Sequence, residues 1–497
     1  MTDTDTRNKN TDDDGAAAAA APRQVAPNEV VDRQHRWFTV AWPLALIFHL
    51  MANISGIPLV AVLQLGAAVL AVLVLIRPRL SYVLTLATVF PVITYVKAPF
   101  IGNHELILAF TALVVLASVL ASGDRWPTTA FPILRWVLII AYSSIAISKL
   151  NRSFLDPSVS CAAQFADEFS GWLDFRVSEF RSLSLVAIWT TVVVELAIPI
   201  LLLVRRLRVI GVMVALTFHF ILALEPAGHV FDFTATLFPL FLTFAPVEVR
   251  EYVSDRIGGL AGGHGRSVLA FGSLTVVIAH VVVIVATPAP SWIVAYPVWL
   301  LVGTTVLWWV FSAIVSRSRA QGNWLGDRVA ARAPLAILVP VVALLAANAA
   351  APYLQLRTAA AFNMYSNLET VGVDGDHLLA GGIGGVRSHD LVLITDAPED
   401  HPLAYYVTEG RAVPADNLRW FQRNRLAVAS SEELASDDLV TLRWLSGSTG
   451  VGGPALLTEI EVGDGGWSEL LAHKFGFVRA VDLSSPAGCL RSWGPAG

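Results

Sequence analysis

The residues best suited to chemistry are a lysine and a few histidines set inside, or at the ends of, long apolar stretches. The chain uses Arg almost wherever it needs positive charge. Of 34 basic residues only four are lysines: Lys9, Lys97, Lys149 and Lys474. Arg keeps its proton in a protein, whereas a desolvated or positively crowded Lys can release one and act as a base. Lys149 closes an apolar run in AYSSIAISKLNRSF, and Arg152 follows one helical turn later if the helix continues. Burial plus that neighbouring guanidinium would favour a free amine. The competing reading is a lysine whose stem lies along a helix while its head reaches water.

Polar residues inside apolar runs come next, because each is costly there and points to function. His219 lies in VALTFHFILALE, Glu195 in TTVVVELAIPILL, and His104 follows Asn103 in IGNHELILAF. His49, Asp232 and His280 lie within or open other apolar runs. Any one of them is explained by a hydrogen bond that helps helices pack. Asn103, His104, Lys149 and His219 nevertheless fall toward the same side of the chain's alternating pattern. Two neutral imidazoles and one lysine at a common depth make an acid–base cluster. Other signals are weaker. GGIGGVRSHD has no helix pattern after it and reads as a turn, and HELIL lacks the second His of a metalloprotease motif. No linear spacing of zinc ligands stands out, so the sequence predicts no metal.

These residues must be positioned by membrane helices. Of the 497 residues 55% are hydrophobic and only 15% charged, where a soluble domain carries about 25% charge. A net charge of −5 argues against a nucleic-acid surface. Apolar runs near residues 37–55, 57–76, 80–98, 103–121, 131–150, 183–204, 209–225, 229–246, 266–287, 292–315 and 334–353 predict about eleven membrane spans.

With the N-terminus inside, the inner loops hold Arg77, Arg79, Arg125, Arg205, Arg206, Arg208, Arg250, Arg256, Arg266, Arg317, Arg319, Arg328 and Arg332. The outer loops hold Lys97, Lys149, Arg152, Arg176 and Arg181. This asymmetry predicts a multi-pass protein of the cytoplasmic membrane, N-terminus in and C-terminus out.

Residues 1–36 are polar and alanine-rich and read as a disordered cytoplasmic tail. Residues 37–353 form the transmembrane domain. Residues 354–497 read as a β-rich extracytoplasmic domain, with strands over Leu391–Thr395, Ala404–Thr408, Leu439–Leu445 and Phe475–Leu483. Cys161 and Cys489 both face outward in this scheme, so the sequence allows either a disulfide between loop and domain or two unrelated small apolar residues.

Four segments together give a resemblance. GNHELIL, SKLNRSFL, TFHFILAL and FNMYSNL (Phe362–Leu368) resemble, in order and spacing, segments of the vitamin K-dependent γ-carboxylase family and its bacterial HTTM (horizontally transferred transmembrane) relatives. The resemblance covers roughly residues 35–370 and implies an HTTM-like helical domain. It implies Lys149 as the base toward a reduced vitamin K or menaquinone. It implies His104 and His219 as catalytic partners and Asn103 as a quinone-contacting residue; Arg152 and Glu195, singled out by their own positions, join Asn103 as quinone- or substrate-contacting candidates. The implied reaction is quinone epoxidation at the outer face, alone or coupled to carboxylation of a glutamate in an unidentified extracytoplasmic substrate, with no metal. Asn151 stands where these carboxylases carry Asp, and Phe154 where they carry Trp. The alternative, from another class, is a carrier or lipid-handling protein with Glu195, His219 and His280 along a path, or a scaffold with an outer binding domain.

Overall fold

The computed structural model describes residues 36–54, 58–98, 101–171, 174–225, 230–260, 264–287, 292–320, 333–371, 376–380, 390–399, 401, 403–428, 437, 440–445, 454–459, 478, 481 and 488–489. The predicted tail 1–35 and the glycine-rich segment 381–389 lie outside them. Up to residue 350 the chain is helical. The helices are α1 (Phe38–Ala52), α2 (Pro58–Ile76), α3 (Leu80–Lys97), α4 (Asn103–Ser122), α5 (Trp126–Ser148), α6 (Arg152–Leu155), α7 (Cys161–Ser170), α8 (Arg181–Leu203), α9 (Arg208–Leu222), α10 (Val230–Leu242), α11 (Val247–Gly259), α12 (Gly265–Ala286), α13 (Trp292–Ala320) and α14 (Leu335–Ala350). Each apolar run read from the sequence coincides with one of them.

Six stretches among the described residues are long and apolar enough to cross a membrane: Leu59–Ile76, Leu80–Lys97, Asn103–Ser148, Arg181–Leu203, Gly265–Val283 and Trp292–Ser316. The longest holds both α4 and α5. The surface explains why this chain needs lipid around it. Val285, Leu120, Leu301 and Trp308 are each at least 70% exposed, and Leu59, Val62, Val186 and Val193 are exposed too. Bare apolar surface on this scale is unfavourable in water and natural in hydrocarbon. Prolines interrupt α1, α3, α5, α8, α10, α13 and α14, a burden that bundled membrane helices tolerate because neighbours satisfy the freed carbonyls.

The shorter apolar helices Phe38–Ala52, Arg208–Leu222, Val230–Leu242 and Leu335–Ala350 complete the packing. Every residue of α10 is buried, so it forms the axis of the bundle, touching α1, α4, α5, α9 and α13. Helix α11 was not anticipated. Its polar sequence VEVREYVSDRIGG reads as a loop, yet it buries Val249, Arg250, Val253 and Ile257 on one stripe. That spacing is the face of an amphipathic helix rather than a span.

After α14 the chain turns irregularly, and Phe362 packs into the same core as the helices, 6.3 Å from the Phe110 ring. A smaller unit follows: β1 (Leu391–Asp396), α15 (Ala404–Glu409), β2 (Ala412–Pro414), α16 (Ala415–Val428), β3 (Thr441–Trp444) and β4 (Pro454–Leu456). Its antiparallel sheet has the order β2-β1-β3-β4. Its core, including Val392, Ile394, Leu403, Tyr406, Leu418 and Leu442, is separate from that of the bundle.

Two of the expected strands, at Leu391–Thr395 and Leu439–Leu445, coincide with β1 and β3 to within a few residues. Ala404–Thr408 is instead the helix α15. Leu403 and Tyr406 are both buried at the i, i+3 spacing of one helical face, and so short an apolar run carries no decisive period. The Phe475–Leu483 segment lies mostly outside the described residues, although Val481 bridges antiparallel to Ala412.

Candidate functional site

Helix α5 ends at Ser148, and Lys149 is its C-terminal cap. Asn151 then starts α6: its Oδ1 accepts from the Phe154 N–H at 2.6 Å, while its Nδ2 donates to Ser148 O at 2.8 Å and to Ser366 O. This tight reversal turns Lys149 inward. Its Nζ sits 2.8 Å from Glu195 Oε2, with side chains only 5% and 9% exposed. The contact lies off the line of a straight hydrogen bond. The ammonium also donates to Met364 O at 3.3 Å and lies 5.9 Å from the Phe154 ring centre. Arg152 does not take part. Its side chain is exposed and its backbone N–H donates to Asp376 O. The guanidinium neighbour expected from the sequence is replaced by the Glu195 carboxylate.

Lys149, Glu195 and His219 line one half-open cavity, enclosed by Ile145, Phe154, Phe165, Phe233 and Tyr365 among others. Its empty space is about 600 Å³, counting the open mouth. The wall is mainly apolar, with a few polar groups, which is the usual make-up of a site for a small organic molecule. His219 sits in the last turn of α9 among the rings of Phe218, Phe233 and Phe241. Its Nε2 is 3.0 Å from the Tyr142 hydroxyl, and its buried Nδ1 has no hydrogen-bond partner among the described residues. Tyr142 escaped the sequence reading, although it lies two helical turns before Lys149 and so shares its face of α5.

The lid of this cavity is the segment that carries MYSNL. Asn103, with its amide turned to satisfy both contacts, donates to Ala361 O and accepts from the Met364 N–H at 2.7 Å. Asn348 donates to Ala360 O at 2.9 Å, and Asn367 accepts from the Cys161 N–H at 2.8 Å. Ala360, Tyr365 and Asn367 have φ of 50°, 47° and 52°, a left-handed conformation costly for residues with side chains. Cys161 and Cys489 are joined in a disulfide, so the wall beside Lys149 is covalently tied to the C-terminal part of the chain.

His104 does not line that cavity. Its Nε2 faces Asp232 Oδ2 at 3.2 Å, and His49 Nδ1 faces the same oxygen at 3.5 Å. Asn53 donates to that oxygen at 2.7 Å. Glu105 lies beside them, 4.0 Å from His49 Nε2 and 2.8 Å from Lys97 Nζ. The Phe233 ring stands between this cluster and His219, 6.3 Å from one imidazole and 5.5 Å from the other. The ends of α1, α3, α5 and α9 and the starts of α4 and α10 thus gather most of both clusters at one end of the bundle, while Glu195 comes from the middle of α8. His280 is buried on α12 and does not line the Lys149 cavity. No family model, no curated protein and no solved structure matches the chain.

Proposed function

We propose that this membrane protein is a quinol-dependent oxygenase of the γ-carboxylase-like kind, and that its cavity takes a reduced naphthoquinone. One observation carries the reading: Lys149, Glu195 and the unpartnered Nδ1 of His219 converge on a single apolar cavity. A flat aromatic ring suits walls built from Phe154, Phe165 and Phe233, and its hydroxyls suit an amine and an imidazole. When bound, the reduced quinone supplies electrons for oxygen and, once oxygenated, a base strong enough for a carbon-bound proton.

The protein's own part is proton handling. Lys149 Nζ and Glu195 Oε2, 2.8 Å apart, stand close enough to exchange a proton directly. Proton transfer from Lys149 to Glu195 gives the free amine, which then takes a quinol proton. His219 Nδ1 would be available to hydrogen-bond a quinone oxygen, with the ring held through Nε2 by the Tyr142 hydroxyl. Dry walls strengthen each of these interactions. In this reading Asn103 shapes the lid over the site and does not touch the quinone.

The same proposal includes about eleven spans, the N-terminus inside, and both clusters toward the outer face of the cytoplasmic membrane. Single cysteines placed at Arg206 and Arg181 test it: a membrane-impermeant thiol reagent should label only the second in intact cells. For activity, membranes containing the protein are supplied with reduced menaquinone in air. They should form the epoxide, and Lys149→Arg should abolish this while the protein still inserts. Equal turnover in the variant rejects lysine as the base. Incorporation of labelled carbon dioxide into protein, measured alongside, reads any coupled carboxylation. Most of the polar groups gather at one end, with Glu195 alone drawn from mid-helix, which favours this reading over a carrier, whose path would need such groups along the full depth of the bundle.

A further inference from the structure

The second cluster has a chemistry of its own. His49, His104 and Asp232 each offer one ligand atom, and these atoms lie within 4.8 Å of one another. They come from α1, α4 and α10, so packing alone brings them together. We propose that His49, His104 and Asp232 bind a divalent transition-metal ion next to the Lys149 cavity.

Two of the three separations between these atoms match those of a ligated ion. Ligand atoms about 2.1 Å from a tetrahedral centre stand about 3.4 Å apart. The imidazole nitrogens lie 3.2 and 3.5 Å from Asp232 Oδ2. Two imidazoles and a carboxylate match the preferences of Zn²⁺ and Fe²⁺ and leave at least one coordination position for water or a ligand oxygen.

Charge gives an independent argument. Asp232 is fully buried, and its contacts are His49, His104 and Asn53, with no Lys or Arg paired to it among the described residues. Nearby Lys97 is engaged with Glu105. A buried carboxylate whose partners are an amide and two imidazoles still lacks a full counter-charge, which a cation supplies. A divalent ion also rationalises the crowding of Oδ2 by three nitrogens while Oδ1 has no partner. Asn53 is anchored to His49 O at 3.0 Å and steers the carboxylate, as groups around metal ligands commonly do. The rival arrangement has one imidazole protonated and no metal.

The test uses the full chain, purified in detergent with a tag free of histidine, stripped with a chelator and titrated with Zn²⁺ or Co²⁺ alone. One equivalent of Zn²⁺ should survive desalting, and the Co²⁺ form should show visible absorption of a four- or five-coordinate site. His104→Gln and Asp232→Asn should each weaken Zn²⁺ binding at least tenfold, while His401→Gln in the C-terminal unit should not. Zn²⁺ should also raise the unfolding temperature of the unmutated protein, which keeps the test valid should a variant fold poorly. An unmutated protein that retains no metal and shows no Zn²⁺-dependent shift overturns the proposal. So does binding that His104→Gln leaves unchanged. Epoxidase activity is not part of this readout, so failure here and failure of the quinone reading are distinguishable.

Discussion

Lys149 Nζ and Glu195 Oε2 meet at 2.8 Å, with both side chains withdrawn from solvent at the closed end of α5. A buried ion pair gives little net stability, because desolvation consumes most of its Coulomb energy. Its retention inside an apolar bundle therefore points to use rather than to structural support.

Glu195→Gln leaves the Lys149 ammonium without its counter-charge. Breaking a buried pair from one side costs about 3–5 kcal/mol, and thermal unfolding in detergent should register a loss of this order together with lost epoxidation. The double variant Lys149→Met, Glu195→Leu should recover the stability and stay inactive. A single variant as stable as the unmutated protein would mean that the pair is solvated.

Asn151→Asp tests the reversal after α5. The carboxylate keeps the acceptor for the Phe154 N–H but places negative charge against the carbonyls of Ser148 and Ser366, which the amide now satisfies. Leaving such buried groups unpaired costs about 1–3 kcal/mol. The variant should unfold at lower temperature and lose activity by release of the lid. Unchanged stability would show that the amide nitrogen does not hold Ser366.

Gly102→Ala addresses the His104 ring from outside the three proposed ligand residues. A Cβ at Gly102 would stand 2.5 Å from Cε1 and 3.2 Å from Nε2 of the His104 ring, so the ring must leave its present position opposite Asp232 Oδ2. Zn²⁺ affinity should fall while the unfolding temperature in the absence of metal changes little. Identical Zn²⁺ titrations for the two proteins would contradict the ring position.

Cys161→Ser removes a crosslink that spans 328 residues of chain. Loss of a native disulfide costs typically 2–5 kcal/mol, and the C-terminal unit should become more sensitive to protease than the helical bundle. The intact protein should yield a crosslinked peptide containing Cys161 and Cys489 under non-reducing digestion. Recovering both as free thiols would count against the bond.

Much of this was legible from composition and period. Apolar runs long enough for hydrocarbon located the helices, since that signal depends on local residue type alone. The placement of Lys149, Glu195 and His219 within them followed directly. What escaped had weak or ambiguous local signals. Helix α11 hides a narrow apolar stripe in a polar sequence, and Ala404–Thr408 is too short to declare its period. Tyr142, Asn53 and Glu105 looked like ordinary helix residues because nothing near them in sequence names their partners.

The sequence by itself determined that this chain belongs in a membrane, where its helices run, and which rare polar side chains they carry. Only the tertiary structure decided who meets whom: Glu195 rather than Arg152 beside Lys149, and Asp232 with His49 rather than the lysine beside His104. The reason is physical. A helix that is apolar on nearly all sides has no hydropathic face to set its rotation, so the side chain it turns toward a neighbour is fixed by helix-to-helix packing. Partners drawn from distant helices become neighbours only when that packing is complete.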